Sequence, residues 1–328
     1  MVQRLIHICE RRTAAGSRIH MQQRLFPGEV VFNETYLPRA RLCRELALQP
    51  DGSSMVFHQA SSLPACALTA QYARIRGRDW RIVFDLHDLI ERPRSSKRFE
   101  RPHLGIYSYE KLMRALPSLG VRLITVSKGL ATITAQNTGS VPGVVFSIPP
   151  GATPPSSPSA GLKAHSKVAY FGMIRPDRLQ ISAAEALVNH GKTVDIFGRF
   201  FANAPDGYRR DLLKVIARTG GSYRGPYSPS DLSFLDDYSA CLMLFSSTTE
   251  NFRYGMPNKL FQAVRMRKVS IVSDHLSEAR DTFESTGAVQ TLSSFLLSTQ
   301  DADWDKADGV IADLAAESQQ AYLDAIGA

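Results

Sequence analysis

Lys259 follows Asn258 and Pro257 in the stretch GMPNKLFQAV, residues 255–264. Proline suits the first helical position, because its fixed φ fits and its missing N–H would go unbonded there anyway. Asn258 and Lys259 then fall in the first turn, where free backbone N–H groups and the helix dipole favour an anion. With the polar loop SSTTENFRYG (246–255) leading into it, this is chemistry for holding a phosphate. The plainer alternative is a capped surface helix with a solvated lysine. His87 and Asp88 close the apolar run VFDLHD (83–88), where a lone histidine is more often structural. His58, after SMVF, is better read as a satisfied packing residue. Asp236 and Asp237 invite a metal, but near a helix end before an apolar strand they read as a solvated terminus, and no metal site is assigned.

These residues need elements to place them. RLIHIC (4–9) reads as a strand and SRIHMQQRLF (17–26) as an amphipathic helix. The loop between them has one glycine, Gly16, rather than the three-glycine dinucleotide fingerprint, which argues against a nicotinamide or flavin enzyme. SMVFHQA (54–60), ACALTAQYARIRG (65–77) and RIVFDLHD (81–88) follow as strand, helix and strand. YSYEKLMRAL (107–116), VRLITVS (121–127) and KGLATITAQ (128–136) read as helix, strand and helix. Such alternation indicates βαβ units and a parallel sheet, with ligands beyond the carboxyl ends of the strands. His58, His87, Asp88 and Ser127 are thereby expected at a cleft rim.

VVFSIPPG (144–151) closes the first sheet, and ATPPSSPSAGLKAHS (152–166) is a Pro/Ser-rich linker. A second alternation begins with the strand KVAYFG (167–172), ending in Gly172, then the helix ISAAEALVNHG (181–191) and the strand TVDIFG (193–198), ending in Gly198. RRDLLKVIART (209–219) and SPSDLSFLDDY (228–238) are expected as helices, and ACLMLF (240–245) and VSIVSD (269–274) as strands flanking the Lys259 helix. The tail 302–327 is mostly helical. The expected division is an N-terminal domain 1–151, the linker 152–166, a C-terminal domain 167–305 and a final helix 306–328 able to pack back on the first domain.

The 328 residues carry 39 Lys+Arg against 31 Asp+Glu, a net charge of +8. Residues 1–150 hold 21 basic and 11 acidic residues (+10), leaving 18 and 20 (−2) for the rest. The densest basic stretch, ERPRSSKRFER (91–101), contains Arg92, Arg94, Lys97, Arg98 and Arg101. A basic half suggests a polyanion or an anionic membrane surface. No zinc-finger spacing, basic zipper or RNP-like motif accompanies the charge, so nucleic acid is not the expected partner. No uncharged apolar run reaches 18 residues, and the N-terminus has too short an apolar stretch for a signal peptide. Cys9, Cys43, Cys66 and Cys241 are scattered, as free thiols in a reducing compartment would be, so a cytoplasmic protein is expected.

Several segments resemble the GT-B glycosyltransferases, the retaining family-4-like group that uses nucleotide-sugar donors. MPNKLFQAV (256–264) is similar to that group's PNKLFEY segment, VFDLHDLIE (83–91) to its DxHD strand end, and LITVSKGLA (123–131) to its TVS strand. FSIPPGATP (146–154), VAYFGMIRPDR (168–178) and YRGPYSPSDLSFLDDYSACLMLF (223–245) resemble the approach to the second domain, its opening strand and glycine turn, and its later helix–strand segment. The matches follow the family's order over nearly the whole chain. The fold implied is α/β: two doubly wound Rossmann-like domains facing a cleft.

The activity implied is transfer of a hexosyl-type sugar from a nucleoside diphosphate to a glycan or lipid-linked acceptor in cell-surface polysaccharide synthesis. The nucleotide sugar acts as co-substrate, and no cofactor is implied. Lys259, with Arg175 or Arg178 and the backbone around Gly172 and Gly198, would hold the diphosphate without a metal. His87 would contact the donor sugar, and Asp88 would orient it or act on the acceptor hydroxyl. Asn258 and Gln262 lie one helical turn apart. In the family the Gln262 position is a glutamate gripping the ribose, and its partner glutamate falls here on Tyr254, with Glu250 a nearby substitute. These departures leave open a non-catalytic relative that binds a nucleotide sugar or glycan, or scaffolds a glycan-assembly complex. An epimerase of the same fold would need an acid/base set that is not evident. Peripheral attachment to the inner membrane face is the role expected for the basic half.

Overall fold

The structure, a computed structural model, describes residues 4–9, 18–32, 45–58, 62–89, 104–148, 167–229, 231–246, 249–298 and 301–328. The basic stretch 91–101 with its five cations, the linker 152–166 and Cys43 lie outside them. Two compact units are present: Met1–Ser147 with Leu314–Ala328, and Ile148–Asp313.

The first unit holds strands β1 (Leu5–Cys9), β2 (Glu29–Phe32), β3 (Ser54–His58), β4 (Arg81–Leu86), β5 (Arg122–Thr125) and β6 (Gly143–Val144). They form one sheet in the order β2-β1-β3-β4-β5-β6, parallel throughout. LIHIC and SMVFH are buried at every position. Continuous burial is what a parallel sheet covered on both faces requires, so these strands read as apolar runs rather than alternating ones. The crossovers are α1 (Arg18–Leu25), α2 (Leu63–Arg76), α3 (Leu104–Ala115) and α4 (Lys128–Thr138). α2 opens with a proline in its first turn and closes on Gly77 at φ 62°, the left-handed cap that glycine adopts without a Cβ clash. Ser127 caps α4 by accepting from the Leu130 N–H.

The second unit repeats the plan with β7 (Lys167–Ile174), α5 (Ile181–Asn189), β8 (Thr193–Phe200), α6 (Tyr208–Ala217), β9 (Tyr223–Gly225), β10 (Ala240–Met243), α7 (Glu250–Arg253), α8 (Asn258–Arg265), β11 (Val269–Val272), α9 (Ser277–Phe283), β12 (Val289–Thr291) and α10 (Leu292–Leu297). Its sheet runs β12-β11-β10-β7-β8-β9, again parallel. The final helix, α11 (Trp304–Ile326), begins in this unit and ends in the first. There Tyr322, Ala325 and Ile326 pack on Leu5, Val56, Val83 and Ile124, and Arg81 donates to the carbonyls of Ile326 and Gly327.

Two local expectations differ from the structure. Among the described residues of 228–238 the structure has a 3-10 turn, Ser233–Asp237, rather than an α-helix, and the Asp231 carboxylate takes both the backbone N–H and the hydroxyl of Ser233. Pro257 is the residue before α8 rather than its first helical one. With ψ at 140° it stays extended, and its carbonyl accepts the Leu260 N–H at 2.8 Å.

In a doubly wound sheet, ligands gather where the strand order reverses, at the carboxyl ends of the two central neighbours. In the first unit that point lies between β1 and β3, and in the second between β7 and β10.

Candidate functional site

The second unit's reversal point carries a cavity of about 200 Å³ lined by Tyr170, Arg178, Leu242, Met243, Leu244, Phe245, Pro257, Asn258 and Lys259. No carboxylate is among these residues. The α8 N-terminus supplies Asn258 and Lys259, while Leu260, Phe261, Ala263 and Val264 bury the helix on the sheet and fix its position. The Lys259 side chain runs back onto β7. Its Nζ lies 5.4 Å from the Tyr170 ring centre and 5.5 Å from that of Phe171. A Cβ built on Gly172 would lie 1.6 Å from that Nζ, so only glycine leaves room for the ammonium.

Gly172 pairs in register with Gly198, and the two have φ of 131° and 135°. A Cβ at Gly198 would lie 1.7 Å from the Gly172 carbonyl oxygen. Both glycines therefore serve close approach, of a side chain in one case and of neighbouring backbone in the other. Burial, with the nearby Arg178 charge second, brings the Lys259 amine down to about 7. Arg178 keeps a buried Nε with no hydrogen-bond partner among the described residues. A desolvated lysine beside an under-satisfied guanidinium calls for an anion.

The remaining donor-side candidates divide. Arg175 pairs with Asp177, stacks over Phe201 at 5.0 Å and does not line the cavity. Gln262 is 6% exposed in the middle of α8, and Glu250 is exposed at the start of α7.

The first unit's reversal point carries a polar cluster that packing against apolar strands would not foretell. His7 on β1, His58 on β3 and Asp85 on β4 are each fully buried. Asp85 Oδ2 accepts from His58 Nδ1 at 2.9 Å, from His87 Nε2 at 3.0 Å and from Gln22 Nε2 at 3.0 Å. His58 Nε2 and His7 Nδ1 are 3.0 Å apart, and His7 Nε2 donates to the Phe26 carbonyl at 3.0 Å. The His7 and His58 rings stack with centroids 5.3 Å apart. Burial first, and the positive field of His58 second, push His7 down to about 4. His87 is the member that reaches solvent, with 20% of its side chain exposed. Asp88 is exposed and is not the partner of His87; Asp85 is.

His58, Asp85 and His87 offer three donor atoms within 4.8 Å of one another, the geometry of a small cation site. Each nitrogen nevertheless lies at hydrogen-bond distance from one shared oxygen, to which the Gln22 amide also donates. The arrangement fits a hydrogen-bonded carboxylate better than an ion between the atoms.

The sequence reads His58 as a satisfied packing residue and also places His58 and Ser127 at a cleft rim; both are fully buried rather than at a rim. The partners of His58, His7 and Asp85, were missed. The available signal was a polar residue inside each of three apolar strands, LIHIC, SMVFH and RIVFDL. Cys9, Cys66 and Cys241 are buried free thiols. Burial raises Cys9 and Cys241 to about 12 and Cys66 further still, which disfavours the thiolate at each. Among the described residues no helix is long and apolar enough to cross a membrane.

No family model and no curated protein matches the chain. Solved structures do. The lipopolysaccharide outer core galactosyltransferase WaaB is 13% identical, with 99% of each chain covered and a TM-score of 0.62. TarM is 12% identical with a TM-score of 0.58 over 88% of this chain, which spans only 54% of TarM. A glycosyltransferase from Rickettsia africae is 12% identical with a TM-score of 0.55, covering 99% of this chain and 94% of the other. At such identities the likeness speaks to architecture, and the chain has the GT-B fold of two doubly wound halves.

Proposed function

We propose that this chain transfers a sugar from a nucleoside diphosphate to a glycan or lipid-linked acceptor, as part of cell-surface polysaccharide assembly. The observation carrying this reading is the pairing of Lys259 with Arg178 at a cavity on the second sheet's reversal point, with no carboxylate among its described lining residues. In the mechanism we infer, the two cations and the α8 N-terminus neutralise the charge that grows on the diphosphate as the sugar bond breaks. Gly172 leaves room for the Lys259 ammonium beside the strand end, and Gly198 leaves room for the Gly172 backbone. In the resembling family the histidine at the His87 position contacts the donor sugar; here Asp85 holds that histidine, and Gln262 stands where the family grips the ribose.

Binding and turnover across a panel of nucleotide sugars test this. Lys259→Ala should weaken nucleoside-diphosphate binding by roughly ten- to a hundredfold, the loss of a charge-assisted contact worth about 1.5–3 kcal/mol, and leave nucleoside binding unchanged. Equal loss for both ligands, or for neither, would remove the phosphate role. A second reading, a non-catalytic nucleotide-sugar or glycan binder, is favoured by Gln262 and Tyr254 standing where the family has its two glutamates. Binding without transfer or hydrolysis across the whole panel would select it.

A further inference from the structure

The hydrogen bonds of the first unit's cluster can be counted proton by proton. The Phe26 carbonyl only accepts, so His7 Nε2 must carry a hydrogen. One hydrogen must lie between His7 Nδ1 and His58 Nε2, because two bare lone pairs would repel at 3.0 Å. One more must lie between His58 Nδ1 and Asp85 Oδ2 at 2.9 Å. Two imidazoles and one carboxyl group thus share three protons along a single line. The last of these could sit on oxygen, giving a neutral acid beside a neutral ring. However, Oδ2 also takes N–H groups from Gln22 and His87, and two such donors favour an ionised oxygen. The proton then rests on His58.

We propose that His58 is a buried imidazolium locked against an ionised Asp85, and that this pair fixes His87 as the tautomer protonated on Nε2. His87 Nδ1, which has no hydrogen-bond partner among the described residues, is thereby left as an acceptor facing outward. His58 and Asp85 are positioning residues in this scheme. The Gln22 amide belongs to the same device, with its nitrogen turned to Asp85.

The ligand that suits this acceptor is a hydroxyl-bearing one, such as a sugar ring, and that step alone rests on His87 being the sugar contact. Among the described residues, the groups facing the pair include His7 and Cys9 from β1, the neutral Gln22 from α1, and His87 beyond β4. Of the ionisable ones, His7 is held neutral and the Cys9 thiol is pushed up to about 12 by burial and then by Asp85. Neither offers His58 an alternative counter-charge near neutral pH.

The test is ¹⁵N NMR of the imidazole nitrogens in the chelator-treated wild-type protein from pH 6 to 9, with assignments from His7→Gln and His87→Gln. The expected result is His58 protonated on both nitrogens throughout, with His7 and His87 each carrying Nε2–H. A neutral His58 at pH 8, an Nδ1–H tautomer of His87, or signals that change when the chelator is removed would each overturn the proposal. Asp85→Asn should strip the extra proton from His58 and mix the His87 tautomers; a still-charged His58 in that variant would also overturn it. Because the NMR needs no turnover, the two ideas part cleanly. If His87→Ala keeps full transfer while the expected NMR pattern holds, the sugar contact falls and the charged pair stands.

Discussion

Gly172 and Gly198 are paired across β7 and β8 with similar φ, yet substitution should act differently at each. At Gly172 a new Cβ meets the flexible end of Lys259, which can swing away. At Gly198 it meets backbone, which cannot. Gly172→Ala should therefore cost diphosphate affinity with a modest drop in stability, about 1 kcal/mol. Gly198→Ala should cost about 2–3 kcal/mol, the upper range for a strained position. Thermal unfolding beside nucleotide titration separates the two; equal loss of stability would show that the lysine head is not mobile.

Lys259 gives a pH dependence whose sign follows from its lowered amine. Its folded-state value of about 7 lies below the unfolded value of 10.5. Between those values the unfolded chain holds the proton more tightly, so stability rises with pH across about 7 to 10.5, and below 7 the full cost of a buried cation is present. A bound diphosphate reverses the preference by drawing the proton on. Affinity for a nucleotide sugar, whose diphosphate has no group titrating in this range, should fall by up to about tenfold per pH unit above 7. Calorimetry in buffers of different ionisation enthalpy should register proton uptake at pH 8. Flat affinity from pH 6 to 9 would place the lysine outside the phosphate site.

At the scale of elements, the last turns of α11 complete the first unit's core. Tyr322 is fully buried and stacks on Phe26 at 4.0 Å. Ser54 Oγ donates to the Ile326 carbonyl at 2.8 Å, and Arg122 donates to the carbonyl of Asp324. The arginines meet the partial negative charge of the helix C-terminus, where a cation is favourable. Tyr322→Ala should destabilise by about 3–5 kcal/mol, as large aromatic truncations do. Deleting residues 314–328 should leave the first unit unable to fold. Urea unfolding of the substitution and limited proteolysis of the truncation read this out, and a truncated chain with native protection would refute it.

For the whole molecule, charge is the property no single site explains. The +10 of residues 1–150 includes Arg92, Arg94, Lys97, Arg98 and Arg101 within one short stretch. Basic residues near an anionic leaflet contribute about 1 kcal/mol each, decaying within a Debye length. We expect salt-sensitive co-sedimentation with anionic vesicles, weak binding to neutral ones, and marked loss when these five residues become glutamine. Binding indifferent to salt and lipid charge would leave the basic half in need of a soluble polyanion.

The sequence by itself determined the class of fold and placed Lys259 at the start of a helix between two strands, where it lines the second unit's cavity. Parallel strands buried on both faces must be apolar runs, and a proline beside a helix start marks where backbone N–H groups point outward. Those signals are local, so 167–172, 193–198 and 255–264 could be read directly. Pro257 shows the limit of such reading, since a proline fits both the position before a helix and the first position within it, and only the observed ψ separates them. Tertiary structure decided which polar residues meet. His7, His58 and Asp85 lie 51 and 27 positions apart, and only the strand order β1-β3-β4 brings them together. Each alone reads as a lone polar residue in an apolar strand. The partner of His87 was hidden for a related reason: alternate residues of a strand share a face, so Asp85 reaches His87 while the adjacent Asp88 points to solvent.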